Sequence, residues 1–134
     1  MLPFFIMPYL DFPDLCALAR ASQAVSRPCS CNQVPMTAWQ ALPMTLQLDH
    51  FDVAGTLVED PYEEPSFAEY HPDGTRYDSA DAPIAPRYYP YNLSQVLRCR
   101  DCGRHYLRYN EAGGYFTELR IRALQPALLV DAPL

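Results

Sequence analysis

Two cysteine pairs constrain this chain more than any other feature: Cys29-Ser30-Cys31, and Cys99-Arg100-Asp101-Cys102 with Gly103 directly after it. Thiols one or two residues apart on a turning backbone can present both sulfurs to one ion, and four thiolates in a tetrahedron are a common closed set for zinc. Because 67 residues lie between Cys31 and Cys99, a site using both pairs ties the first quarter of the chain to its last third. The pattern therefore predicts Cys29, Cys31, Cys99 and Cys102 as ligands of one Zn2+. Such a set leaves no open coordination position, so the expected metal is structural rather than catalytic. His50 and His105 are the alternative ligands if one of the N-terminal pair does not take part. Cys16 has no partner at ligand spacing and reads as a small buried hydrophobe.

Charge is distributed unevenly. From Asp49 to Asp81 ten acidic residues stand against Arg76 alone, which gives −9; residues 82–134 carry +3 and residues 1–48 balance at zero, matching the net charge of −6. An acidic middle segment disfavours a nucleic-acid partner and favours a basic protein partner. The carboxylates and aromatics of that segment (Glu59, Asp60, Tyr62, Glu63, Glu64, Glu69, Tyr70 and Asp73) are the candidate partner-binding residues. Tyrosine supplies contact area at low entropic cost, and carboxylates steer a cationic surface.

Fourteen prolines in 134 residues, about twice the usual share, exclude long helices. Residues 1–10 read as an extended apolar segment. That opening lacks a basic start and is broken by Pro3 and Pro8, so no secretion signal and no membrane span is expected. With thiols that need a reducing compartment, this predicts a cytoplasmic protein. Asp11 is the predicted N-cap of a helix that carries Leu15, Leu18 and Ala19 on one face and stops before Pro28. Thr37 is expected to cap a short helical turn around Trp39, a predicted core anchor. Residues 45–51 alternate as a strand with His50 as a core histidine, and residues 55–58 suggest a second. His71-Pro72-Asp73-Gly74 reads as a tight hairpin turn. Residues 94–98 lead as a strand into the cysteine turn, residues 105–109 lead out, residues 110–114 turn, and residues 115–124 return. Residues 127–130 suggest a last strand. These elements predict a small α+β domain over residues 1–134: helix and first cysteine pair (1–35), acidic Tyr/Pro-rich segment (49–92), and a hairpin part (94–130) in an antiparallel sheet with long irregular loops.

Cys99, Cys102, Gly103 and the hairpin that follows, residues 99–124, resemble the second knuckle of a zinc ribbon. The first knuckle departs from that pattern, with Cys29-x-Cys31 far upstream in place of a second Cys-x-x-Cys. Zinc ribbons often bind nucleic acid, and Arg98, Arg100, Arg104, Arg108, Arg120 and Arg122 cluster on the hairpin, so the alternative expectation is a nucleic-acid-associated or regulatory protein using that arginine face. In general character the chain resembles small acidic bacterial immunity proteins. That resemblance implies a non-enzymatic inhibitor that blocks the basic cleft of a toxin with its acidic, aromatic-rich loop. Neither a nucleophile elbow nor a phosphate loop accompanies the three histidines, so no enzymatic activity is expected.

Overall fold

A computed structural model describes residues 7–113 and 115–134. Helix α1 spans Phe12–Gln23. Asp11 caps it reciprocally: its carboxylate accepts the Asp14 N–H at 2.9 Å, and the Asp14 carboxylate accepts the Asp11 N–H at 3.3 Å. Pro13 sits in the first turn, where no backbone N–H is required. Leu15, Ala19 and Ser22 form the buried stripe of the helix.

Five strands form one antiparallel sheet: β1 (Gln40–Ala41), β2 (Phe51–Thr56), β3 (Gln95–Cys99), β4 (His105–Gly113) and β5 (Phe116–Ala123). Their order is β1-β5-β4-β3-β2, which gives the α+β class expected from the sequence. Side chains alternate across the sheet, and both faces are covered. On one face Val96, Leu107 and Tyr109 meet Leu15 and Ala19 of α1 together with Trp39, Leu57, Ile84, Tyr91 and Leu124. On the other face Leu97, Cys99, Tyr106 and Ile121 meet Cys31, Met36, Leu46, Phe51 and Cys102. Each large apolar side chain buried this way contributes roughly 1.5–3 kcal/mol before entropy is counted.

Several local expectations give way to tertiary pairing. The strand expected at 45–51 is a 3-10 turn at Leu48–His50, and the sheet is joined only at Phe51. Leu46 and His50 donate their N–H groups to Pro43 and Gln47, so this stretch satisfies itself locally and leaves His50 exposed rather than in the core. The second expected strand is absorbed into β2, which ends at Thr56. Gly55 sits at its bulge because a Cβ there would come within 2.6 Å of Leu10 and 2.7 Å of the Pro8 carbonyl oxygen. Residues 8–10 run against this strand, Thr56 donating to Pro8 and accepting from Leu10. No helical turn forms after Thr37; Gln40 and Ala41 pair with Ile121 and Arg120 instead. The last expected strand is a 3-10 turn at Pro126–Leu128 followed by a bridge from Leu129 to Ile84. The turn at Gly74 is present, with Gly74 donating to the His71 carbonyl, but no strands flank it. Residues 1–6 of the apolar opening and Gly114 of the expected hairpin turn lie outside the described residues.

Residues 57–94 contain no strand longer than a bridge. They are held to the body by Ile84, Tyr89 and Tyr91, which enter the core beside Trp39 and Tyr109. Trp39 lies edge-on to Tyr109 with ring centroids 4.7 Å apart, and Tyr89 lies edge-on to the same tyrosine at 6.0 Å. Arg122, fully buried, completes the attachment. Its guanidinium donates to the carbonyls of Thr37, Ala80 and Ala82 and to the Tyr91 hydroxyl.

Candidate metal centre and partner surface

The two cysteine pairs arrive from opposite ends of the chain on tightly turned backbone. Cys29-Ser30-Cys31 opens a 3-10 turn in which the Cys29 N–H donates to the Asn32 side chain and the Asn32 N–H returns to the Cys29 carbonyl. Cys99 ends β3, and the turn to β4 closes with Gly103 donating to the Cys99 carbonyl and Cys99 donating to Arg104, each at 2.9 Å. Gly103 has φ +85°, the left-handed region that a side chain would oppose. Tertiary bonds then bring the pairs together. The Arg27 guanidinium donates to the Asp101 carbonyl, the Arg104 guanidinium donates to the Val25 carbonyl at 3.2 Å, and the His105 N–H donates to the Ser22 hydroxyl at 2.8 Å.

The four sulfurs lie within 4.8 Å of one another. Cys29 and Cys99 are 3.8 Å apart, and Cys31 and Cys102 are 3.5 Å apart. A disulfide needs about 2.05 Å, so neither pair is bonded. A tetrahedron of sulfurs about 2.3 Å from a central zinc has edges of about 3.8 Å. The cluster therefore has the size of a tetrathiolate metal site. His50 and His105 are not members of it, so the alternative ligand sets are not assembled here.

The electrostatics agree with that geometry. Burial pushes the Cys31 and Cys99 thiols up, so without a cation between them they hold their protons. The Cys31 N–H points at the Cys29 sulfur and draws that thiol down to about 7 against the effect of burial. Three of the four cysteines are buried and Cys29 is half-buried. A divalent cation reverses the penalty, because a coordinating thiol is deprotonated outright. Cys16 lies elsewhere, half-buried on α1.

The candidate partner residues divide. Glu59, Asp60, Glu63 and Glu64 line a groove of about 650 Å³ with Leu57, Val58, Leu93 and Asp131; the one cation among its described lining residues, Arg87, is paired with Asp131 at 2.7 Å. Tyr62 stands on the same loop at 96% exposure. Glu69 and Asp73 are not in the groove walls. Glu69 instead pairs with His71 at 2.9 Å, and Tyr70 packs on Tyr88 with centroids 5.1 Å apart.

The six hairpin arginines do not form one open cationic face. Arg122 is buried, Arg120 pairs with Glu111 and Glu118, Arg100 pairs with Asp52, and Arg104 is turned in toward Val25 and Cys102. Arg108 is half-buried and bonds Asn110, which leaves Arg98 exposed. Sequence reasoning missed the role of Arg122. It sits at an alternating position next to Arg120, and only the long segment folding over it from 80 to 91 makes that position interior. Among the described residues no helix is long and apolar enough to cross a membrane. Comparison with family models, curated proteins and solved structures gives no match to this chain.

Proposed function

We propose that Cys29, Cys31, Cys99 and Cys102 hold one structural Zn2+ and that the chain is a non-enzymatic binding protein built on that clip. The observation that carries the metal assignment is the pair of sulfur separations, 3.5 and 3.8 Å, which match the edge of a zinc tetrathiolate. A closed set of four thiolates has no position for substrate or water, so the ion would stabilise rather than catalyse. Its effect is to fasten the segment after α1 to the turn between β3 and β4. If all four sulfurs are ligands, Cys31→Ser and Cys99→Ser each lower the melting temperature steeply and each lose the metal. A Cys31→Ser variant that melts like the wild type would remove the N-terminal pair from the site.

The binding surface in this reading is the groove of Glu59, Asp60, Glu63 and Glu64 beside exposed Tyr62, and its partner is a basic protein. An immunity-type inhibitor of a bacterial toxin, acting in the cytoplasm, is the role that suits such a surface. Four carboxylates around one concave site with a neutralised arginine support a cationic occupant. Co-purification from the native host, repeated with Glu59→Lys/Glu63→Lys and with Glu118→Lys on the distant hairpin, tests it. Loss of a basic partner in the groove variant alone is expected; equal capture by both variants would contradict the assignment.

A further inference from the structure

Around the sulfurs stand two groups that packing alone does not require. The Tyr106 hydroxyl, on a side chain 2% exposed, lies 3.1 Å from the Cys31 sulfur and 3.3 Å from the Cys31 carbonyl oxygen. Its ring is fixed edge-on against Phe51, with centroids 5.7 Å apart, so the hydroxyl has little freedom to turn elsewhere. On the other side of the cluster the Arg104 N–H points at the Cys102 sulfur, 3.4 Å away. The Arg104 guanidinium lies over the same corner. One nitrogen donates to the Val25 carbonyl and another is buried without an oxygen or nitrogen partner.

A zinc ion with four thiolates carries a net charge of −2, and in a buried setting that charge must be met by donors and cations nearby. We infer that Tyr106 and Arg104 are positioning residues of the metal centre, the hydroxyl holding Cys31 and the N–H and guanidinium holding Cys102 as thiolates that keep their metal. This rests on the tetrathiolate reading above. Hydrogen bonds to a metal-bound thiolate draw charge from the sulfur, which lowers its nucleophilicity and its tendency to accept a proton and leave. The centre so dressed is an inert clip rather than one that gives up its ion or reacts.

The register explains how these two side chains reach the cluster. Leu97 faces Tyr106 across β3 and β4, and Arg98 faces His105, so the turn at 99–104 places Tyr106 on the same face as Cys99. Arg104 is the last residue of that turn. Tyr109, also buried, is on the opposite face beside Trp39 and supplies an internal control for the loss of a buried hydroxyl.

The test uses the full chain loaded with Co2+, whose sulfur-to-metal charge-transfer bands report on the thiolates, together with the rate at which a chelator removes Zn2+. Tyr106→Phe, Arg104→Gln and Tyr109→Phe are compared with the wild type. Tyr106→Phe and Arg104→Gln are expected to lose zinc roughly tenfold faster or more. Both should also shift the charge-transfer band to lower energy and speed alkylation of the bound thiolates by iodoacetamide. Tyr109→Phe should change none of the three, whatever it does to the melting temperature. If Tyr106→Phe does not fold, the half-exposed Arg104→Gln decides the matter alone. Wild-type bands and chelation rates in a folded Tyr106→Phe or in Arg104→Gln would overturn this inference while leaving the tetrathiolate site standing. A wild-type protein with no sulfur-to-cobalt bands would overturn both.

Discussion

The two faces of the sheet fix irregular chain by opposite electrostatic means. On one face the segment around Cys29 and Cys31 meets β3 and β4 at four clustered sulfurs, three of them buried, groups that would repel one another as anions unless a cation lay between them. On the other face residues 80–91 are brought to β5 by one buried cation, Arg122, whose donors are met by neutral carbonyls and a tyrosine hydroxyl. If the proposed zinc is its fastener, the first clip depends on metal, pH and redox state. The second is written wholly in the chain. On the tetrathiolate reading a chelator would open the first clip and leave the second closed, and the acidic groove belongs with the second. Leu57 lines the groove and packs in the Trp39 cluster rather than beside the cysteines. The groove is thus supported by the aromatic cluster, not by the cysteine cluster.

The largest effect expected is on the sulfur face. On the tetrathiolate reading Cys99→Ser removes a ligand and leaves the other three thiols, two of them buried, without a cation, a loss of about 5 kcal/mol or more that thermal melting would register. A chelator should lower the melting temperature of the wild type toward that of Cys99→Ser and leave Cys99→Ser itself unmoved; equal sensitivity of both would collapse the distinction between the faces. Next comes Trp39→Ala on the opposite face, which empties the site between Tyr91 and Tyr109 and should cost about 4 kcal/mol in denaturant unfolding without loss of metal. Arg122→Met sharpens the comparison further. It leaves the Thr37, Ala80 and Ala82 carbonyls and the Tyr91 hydroxyl to find water, at about 2–3 kcal/mol, and amide exchange should quicken in residues 78–92 but not in residues 25–36. Asp11→Ala removes the N-cap and should cost about 1 kcal/mol on melting, independent of metal. The smallest effect falls on the groove: Glu63→Lys, at an exposed position, should shift stability by less than about 0.5 kcal/mol.

Much of this arrangement was legible in the chain because local chemistry dictated it. Asp11 with Pro13 and Asp14 specified where α1 begins, and Cys99-x-x-Cys102-Gly103 specified a tight turn between two strands, since Gly103 alone supplies the left-handed backbone there. Pairing of the distant cysteines followed from ligand number rather than from any local signal. What stayed hidden depended on long-range burial. His50 looks interior by alternation, yet its stretch closes on its own carbonyls and stays outside. Arg122 looks like a surface residue by the same alternation, yet the proline-rich segment covers it completely. Tyr106 could have been found: once the turn is accepted, the register places it four residues past Cys102, on the face that carries the sulfurs. Arginines clustered in sequence were a poorer guide, because strand pairing sent them to different faces and into separate ion pairs.

The most direct test of the central claim is the mass of the purified protein under native conditions, compared with its mass after acid unfolding, together with a count of reactive thiols before and after. A four-thiolate centre predicts one zinc per chain that is lost on unfolding, with four thiols shielded in the native protein and Cys16 the one left to react. A native mass equal to the bare chain, with five thiols reacting at once, would contradict it.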